Sequence, residues 1–378
     1  METPYYQYDI DLLQNTLSIA QQKANRFGYT IHYAMKANAN PKLLRIISET
    51  GFGADCVSGN EVRVALEHGF KPSGIVFAGV GKTDSEIAYA ISQKISCLHC
   101  ESVQELEVIN SISGTLNRVT DVAIRINPNI DAHTHKNITT GLSYNKFGIS
   151  LDDARYILTN LSRYPNTNLI GLHFHIGSQI LNTDVFKRFA ERVNAIQNEL
   201  GTLSLPYLNL GGGLGINYSN PENHSIPDFS SYFESIHQVL KPGSGQSTHF
   251  ELGRSLVGQC GKLISQVLFT KKSGPKRFAV VDAGMNALIR PALYGARHKI
   301  VNLSKRNQPI VESYNIVGPI CETTDFLGEE IRLPLTERGD ILAILSCGAY
   351  AESMASDYNL RGKPESLFIH PNAVAFKT

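Results

Sequence analysis

The chain is read as α/β: a (β/α)8 TIM barrel over residues 12–258, with a second, mostly β domain of sandwich or barrel type formed by residues 1–11 and 259–378. Three observations predict this. Short apolar or β-branched runs recur at 29–36, 53–57, 75–80, 95–101, 121–127, 169–176, 207–211 and 248–252, each bounded by Gly, Pro, Asn or Ser. Most segments between them have helical patterning, and such alternation selects parallel pairing with right-handed crossovers, which eight strands close into a barrel. Past about residue 258 the rhythm changes to strand-like runs at 260–270, 277–282, 309–318, 340–346 and 366–370, separated by turns.

Taken in order, residues 9–26 carry Leu12, Leu13, Leu17, Ile19 and Ala20 on a mostly apolar helical face. The first run ends in Lys36, and Ala-Asn-Ala-Asn-Pro closes it and opens a helix. Capping boxes are predicted at Ser58 with Glu61, Thr83 with Glu86 and Ser102 with Glu105. An open dinucleotide-binding sheet is disfavoured because no Gly-x-Gly-x-x-Gly follows the first strand. Gly79-Val80-Gly81-Lys82-Thr83 imitates a phosphate-binding loop, but its required first glycine falls at Val76, so it is rejected. The first few residues are expected to pair into the second domain, which would insert the barrel between two β pieces.

Composition narrows the function. With 42% hydrophobic and 18% charged residues the chain is an ordinary globular protein, and Lys+Arg 35 against Asp+Glu 34 steers it toward neither nucleic acid nor an anionic membrane. Met1-Glu2-Thr3-Pro4-Tyr5 lacks the basic and apolar regions of an export signal, so a cytoplasmic protein is expected. The cysteines, Cys56, Cys97, Cys100, Cys260, Cys321 and Cys347, are scattered and give no sign of disulfides. Cys97-Leu98-His99-Cys100 suggests zinc, but no second pair stands at ligand spacing, so core cysteines are expected and no metal is assigned.

In a parallel barrel the reacting groups gather at the C-terminal strand ends. Lys36, Asp55, Arg125, His175 with Ser178, Gly211-Gly212-Gly213, and Glu251 with Arg254 sit there. Desolvation favours the neutral amine of a buried lysine, the state a Schiff base needs. A lone strand-end lysine more often carries its head to solvent. The glycine run after the seventh strand is a suitable phosphate cradle, since phosphate sites in such barrels often follow strands seven and eight; tight turns use the same residues. Singly, His173 and His175 read as core histidines or a metal pair, and Glu251 with Arg254 as a structural ion pair. Together, the lysine, the cradle, the His175 ring and the Glu251 carboxylate fit pyridoxal 5'-phosphate.

Tyr33-Ala34-Met35-Lys36-Ala37-Asn38, Arg125-Ile126-Asn127-Pro128, His173-Phe174-His175-Ile176-Gly177-Ser178-Gln179, the triple glycine, Glu251-Leu252-Gly253-Arg254, Arg290-Pro291-Ala292-Leu293-Tyr294, Cys321-Glu322 and Gly348-Ala349-Tyr350 resemble diaminopimelate decarboxylases over essentially the whole chain. The resemblance implies an alanine-racemase-like barrel plus a β domain. It also implies pyridoxal phosphate held by Lys36, with His175 stacked on its ring, Glu251 at its pyridine nitrogen and Tyr350 near its phosphate. Ser178, Gly211, Gly212, Gly213, Gly253 and Arg254 are implied cofactor contacts, and Asp55 and Arg125 are added from their strand-end positions. Arg254, Arg290, Tyr294, Glu322 and Tyr350 match substrate-contacting positions, and Cys321 matches the acid that reprotonates the α-carbon. Cys321 and Glu322 are implied to reach the partner subunit's site, so a homodimer with shared sites is expected. Leu252 stands where the family usually has Pro, Thr323 replaces the usual Ser, and the chain is short for the family.

The implied reaction is decarboxylation of meso-2,6-diaminopimelate to L-lysine and CO2. Glu322 supplies a partner for the distal ammonium, and Arg290 with Arg254 supplies guanidinium forks for the distal carboxylate. Related decarboxylases acting on carboxynorspermidine, ornithine or arginine are the nearest alternatives. A racemase is disfavoured by Glu251, and a non-catalytic partner-binding relative by the retention of Lys36, Glu251 and Cys321. The segment between Ile130 and Lys146, rich in His, Thr and Asn, is a candidate to cover the site.

Overall fold

The computed structural model describes residues 2–129 and 146–371. The chain forms two compact units: Leu17–Gly215 with Asp228–Gly253, and the described residues of Met1–Thr16, Ile216–Pro227 and Arg254–Thr378. The expected covering segment, 130–145, lies outside the described residues.

β1 (Tyr5–Asp9) precedes the barrel strands β2 (Thr30–Ala34), β3 (Gly53–Cys56), β4 (Ile75–Phe77), β5 (Cys97–Cys100), β6 (Thr120–Arg125), β7 (Thr167–His173), β8 (Tyr207–Asn209) and β9 (Ser247–Leu252). They pair in parallel and in sequence order, and β2 closes on β9 with Ile31 opposite Phe250. This is the predicted eight-stranded TIM barrel. Its strands are shorter than their apolar runs: β2 ends at Ala34, and Met35–Ala37 is a 3-10 turn, so Lys36 sits on the turn rather than on the strand.

Alternate residues of barrel strands point inward. Val76, Cys97, Ala123 and Tyr207 form an apolar cluster. Two residues further along their strands, toward the C-terminal ends, stand the buried polar side chains of His99, Arg125 and Asn209. The packed floor therefore gives way to a polar layer where chemistry is placed.

All three predicted helix starts use their hydroxyl cap, but only Thr83 with Glu86 forms the reciprocal box. Glu61 reaches the N–H of Val57, and Glu105 that of Glu101, one residue too early in each case. Lys82 of the rejected phosphate loop is spent on Glu105 at 2.6 Å and on the carbonyls of Gly79 and His99.

The second unit is built on β10 (Gly261–Ser273), β11 (Lys276–Val281), β12 (Ile300–Asn302), β13 (Glu312–Val317), β14 (Phe326–Leu333), β15 (Ile341–Ile344) and β16 (Glu365–Ile369). The sheet runs β12-β15-β10-β11-β13-β14, and β1 pairs with both β10 and β16 as expected of the N-terminus. Two of these strands were not foreseen: β12 has only three residues, and the apolar pattern of β14 is interrupted by the exposed charges of Glu329, Glu330 and Arg332. All six cysteines are free; Cys321 alone is exposed, and Cys97 and Cys100 are core residues.

Candidate active site

In the barrel unit, the Lys36 amine lies 3.4 Å from Asp55 Oδ2. The Asp55 side chain is wholly buried and its Oδ1 has no hydrogen-bond partner among the described residues. Burial and the Glu251 charge push the Asp55 carboxyl up to about 7, against the pull of Lys36. Arg125, the last residue of β6, donates to Glu101 Oε1 at 2.5 Å. Glu101 is pinned by the N–H groups of Gly79 and Gly148, at 3.0 and 2.9 Å, which fixes the guanidinium.

Glu251 is the most elaborated group. Its Oε2 lies 3.1 Å from His173 Nε2, and its Oε1 accepts from Asn209 Nδ2 at 2.9 Å. His99 Nδ1 stands 3.4 Å from the same Oε1 but is not aligned to bond it. Burial raises the Glu251 carboxyl, while Lys36 and the Asn209 amide favour its charged form. Burial also holds His99 and His173 neutral, their rings stacked at 4.0 Å. His99, His173 and Glu251 offer atoms within 4.8 Å of one another, a spacing a metal ion can use, although the same carboxylate oxygens already accept from His173 and Asn209.

The glycine run has a structural reason before any ligand is considered. A methyl on Gly212 would lie 2.0 Å from the Glu251 carbonyl oxygen, and one on Gly211 2.4 Å from that of Phe174. The Gly211 N–H donates to Asn209 Oδ1 and the Gly212 N–H to His175 Nδ1 at 3.2 Å. The N–H of Gly213, at φ 115, has no partner among the described residues. His175 thus presents Nδ1 as acceptor, and burial keeps it neutral. Ser178 lies half-buried in the loop after β7, and a methyl on Gly253 would lie 2.9 Å from Ala37 Cβ, too close to be accommodated.

In the second unit, Tyr218 gathers two buried arginines. Arg254 Nη1 donates to the Tyr218 hydroxyl at 2.6 Å, and the Arg290 guanidinium lies over the Tyr218 ring at 4.7 Å. Arg254 also covers the ring of Tyr350 at 4.7 Å, and Tyr350 holds the left-handed φ 59 that a non-glycine residue adopts only under constraint. Tyr294 ends the helix Arg290–Tyr294 and is half-buried. No carboxylate among the described residues lies within ion-pair distance of Arg290, and its buried Nε has no partner. Cys321 and Glu322 bond elsewhere: the Cys321 N–H donates to Asn359 Oδ1 and Tyr358 donates to Glu322 at 2.5 Å, on an exposed segment that Asp325 braces through the N–H groups of Ile320 and Met285.

Sequence reasoning missed Glu101, Asn209, Tyr218 and the Glu251 role of His99 and His173. One signal was present: His99, His173 and Asn209 are polar residues inside runs read as fully buried strands, where a polar side chain must find a partner. The barrel's donor set fits pyridoxal phosphate: a primary amine, a buried carboxylate, a neutral ring and an unspent N–H on a glycine turn.

Known proteins agree. The family model described as "Pyridoxal-dependent decarboxylase, pyridoxal binding domain" matches residues 13–258. A diaminopimelate decarboxylase of Bacteroides thetaiotaomicron is 50% identical over 368 residues, 97% of this chain and 95% of the relative. One from Aquifex aeolicus is 39% identical over 98% of this chain and 88% of its own length. Among solved structures, a Helicobacter pylori diaminopimelate decarboxylase complexed with L-lysine superposes with a TM-score of 0.91 at 38% identity, covering 98% of this chain and 92% of that one.

Proposed function

The chain belongs to the diaminopimelate decarboxylases, a family of pyridoxal-dependent decarboxylases, and on that premise we propose that it converts meso-2,6-diaminopimelate to L-lysine and CO2, the last step of lysine biosynthesis. Pyridoxal phosphate, when bound, supplies an electron sink for the pair left at the α-carbon as CO2 departs. Lys36 holds it through its amine. Glu251, fixed by Asn209 and His173, would partner its ring nitrogen, and the neutral His175 would pack against its ring. The Gly211-Gly212-Gly213 turn, Ser178 and Gly253, and separately Arg254 and Tyr350, are the residues that would hold its phosphate. Asp55 orients Lys36, and Arg125 keeps a fixed positive charge.

Arg254, Arg290, Tyr294, Tyr350 and Glu322 bind substrate. Cys321 returns one proton to the α-carbon, replacing the bond lost with CO2. In this reading the enzyme is a cytoplasmic homodimer in which the partner subunit's Cys321 and the partner subunit's Glu322 complete each site; the exposure of Cys321 supports it. No helix among the described residues is long and apolar enough to cross a membrane. The working division is a cofactor-binding domain over 12–258 and a β domain of 1–11 with 259–378.

The observation that carries the substrate assignment is Arg290, a buried cation with an unspent Nε and no carboxylate partner among the described residues. A distal carboxylate would satisfy it, and substrates lacking one would leave it unpaired at a cost. Supplying the protein with pyridoxal phosphate and meso-diaminopimelate should release CO2 and L-lysine in equal amounts. A different amine product, or none, would overturn the assignment.

A further inference from the structure

We infer that His298 is a specificity-determining positioning residue: a neutral acceptor that anchors Arg290 without cancelling its charge, so the guanidinium is left to pair with a carboxylate of the substrate. The inference rests on the proposed function, in which Arg290 meets the distal carboxylate of diaminopimelate.

The geometry fixes the tautomer. His298 is buried, with Nδ1 2.8 Å from the Leu345 carbonyl oxygen and Nε2 2.7 Å from Arg290 Nη1. A carbonyl only accepts and a guanidinium only donates, so Nδ1 carries the proton and Nε2 offers its lone pair. An imidazolium would set one N–H against another. Burial and the Arg290 charge agree, pushing His298 down to about 3.

The second partner of Arg290 is equally uncharged. Its guanidinium lies on the face of Tyr218, and that ring meets His298 edge-on at 4.9 Å. Cys347, whose Sγ is 3.8 Å from His298 Nδ1, has its thiol pushed up to about 12 by burial and is neutral too. A buried arginine is usually paired with a carboxylate. Here a lone pair and a ring face do the holding, and Nε has no partner among the described residues. The pocket therefore fixes the direction of the guanidinium while reserving its charge.

The test compares two isosteric replacements in the enzyme loaded with pyridoxal phosphate. His298→Gln keeps a neutral acceptor, and His298→Glu adds a carboxylate against Arg290. The probes are L-lysine, which carries the distal carboxylate, and cadaverine, which lacks it, titrated calorimetrically. L-lysine should bind His298→Gln within about threefold of wild type and His298→Glu about thirtyfold more weakly, with cadaverine alike in both. Equal L-lysine affinity in the two variants, while wild type still prefers L-lysine to cadaverine, would overturn the His298 assignment alone. Loss of that preference in wild type itself would overturn the distal-carboxylate reading and the inference with it. If His298→Glu does not fold, His298→Leu tests the anchor. KM for diaminopimelate should rise about tenfold with kcat changing less, and an unchanged KM would overturn the proposal.

Discussion

Lys36 and Asp55 stand 3.4 Å apart at the mouth of the barrel, the aspartate wholly buried and the lysine side chain 41% exposed. The amine is thus reachable from solvent while its carboxylate partner is not. That asymmetry is what a lysine needs if it is to be guided by a charge yet capture an incoming molecule.

Removing the amine is the simplest test of that role. Lys36→Ala should fold but lose covalent cofactor: borohydride reduction followed by peptide mapping should label Lys36 in wild type and no lysine in the variant. Labelling of another lysine in wild type would displace Lys36 from its assigned place.

Asp55 should leave a pH signature in the cofactor-free protein. Its folded carboxyl is raised to about 7 from 3.8, so the stability it contributes is present below the unfolded value and is lost as pH rises through about 7. Asp55→Asn removes this dependence. The stability of the variant relative to wild type should therefore increase between about pH 4 and 7, by a few kcal/mol at most. Urea unfolding across that range measures it, and a flat difference contradicts the burial argument.

Glu251→Gln keeps the shape of the side chain and removes its charge. If the carboxylate is needed at the ring nitrogen, kcat should fall about 10²- to 10³-fold while the melting temperature changes little. The absorbance spectrum of the loaded protein provides a readout independent of turnover.

The barrel was legible because its strand and helix periods alternate without interruption through β9, and the site followed because parallel strands deliver their ends to one mouth. What stayed hidden depended on geometry that period alone does not encode. Lys36 falls on a 3-10 turn because the strand ladder stops at Ala34, two residues before the apolar run does. The glycine run looked like a phosphate cradle, yet Gly212 is glycine because the Glu251 carbonyl approaches it, and of the three only Gly213 keeps its N–H unspent among the described residues. Tyr218 and His298 lie far from Arg290 in intent if not in space: an Asn-Tyr-Ser-Asn-Pro turn and a histidine before a three-residue strand carry no pattern that marks a guanidinium clamp.

A shared active site makes a mixing prediction. Lys36→Ala and Cys321→Ala should each be nearly inactive as homodimers. Mixed and allowed to exchange, they should recover up to about a quarter of wild-type activity, because half the dimers then carry one intact site. No recovery after demonstrated exchange would place Cys321 in its own subunit's chemistry.

The most direct test of the central claim is the ratio of kcat/KM for meso-diaminopimelate to that for D-lysine offered as substrate, which matches the reacting D-centre and lacks the distal carboxylate. A buried Arg290 anchored by neutral groups predicts a preference of at least about 10³-fold for diaminopimelate, lost when Arg290 is replaced by Gln. Comparable values for the two substrates in wild type would contradict the account.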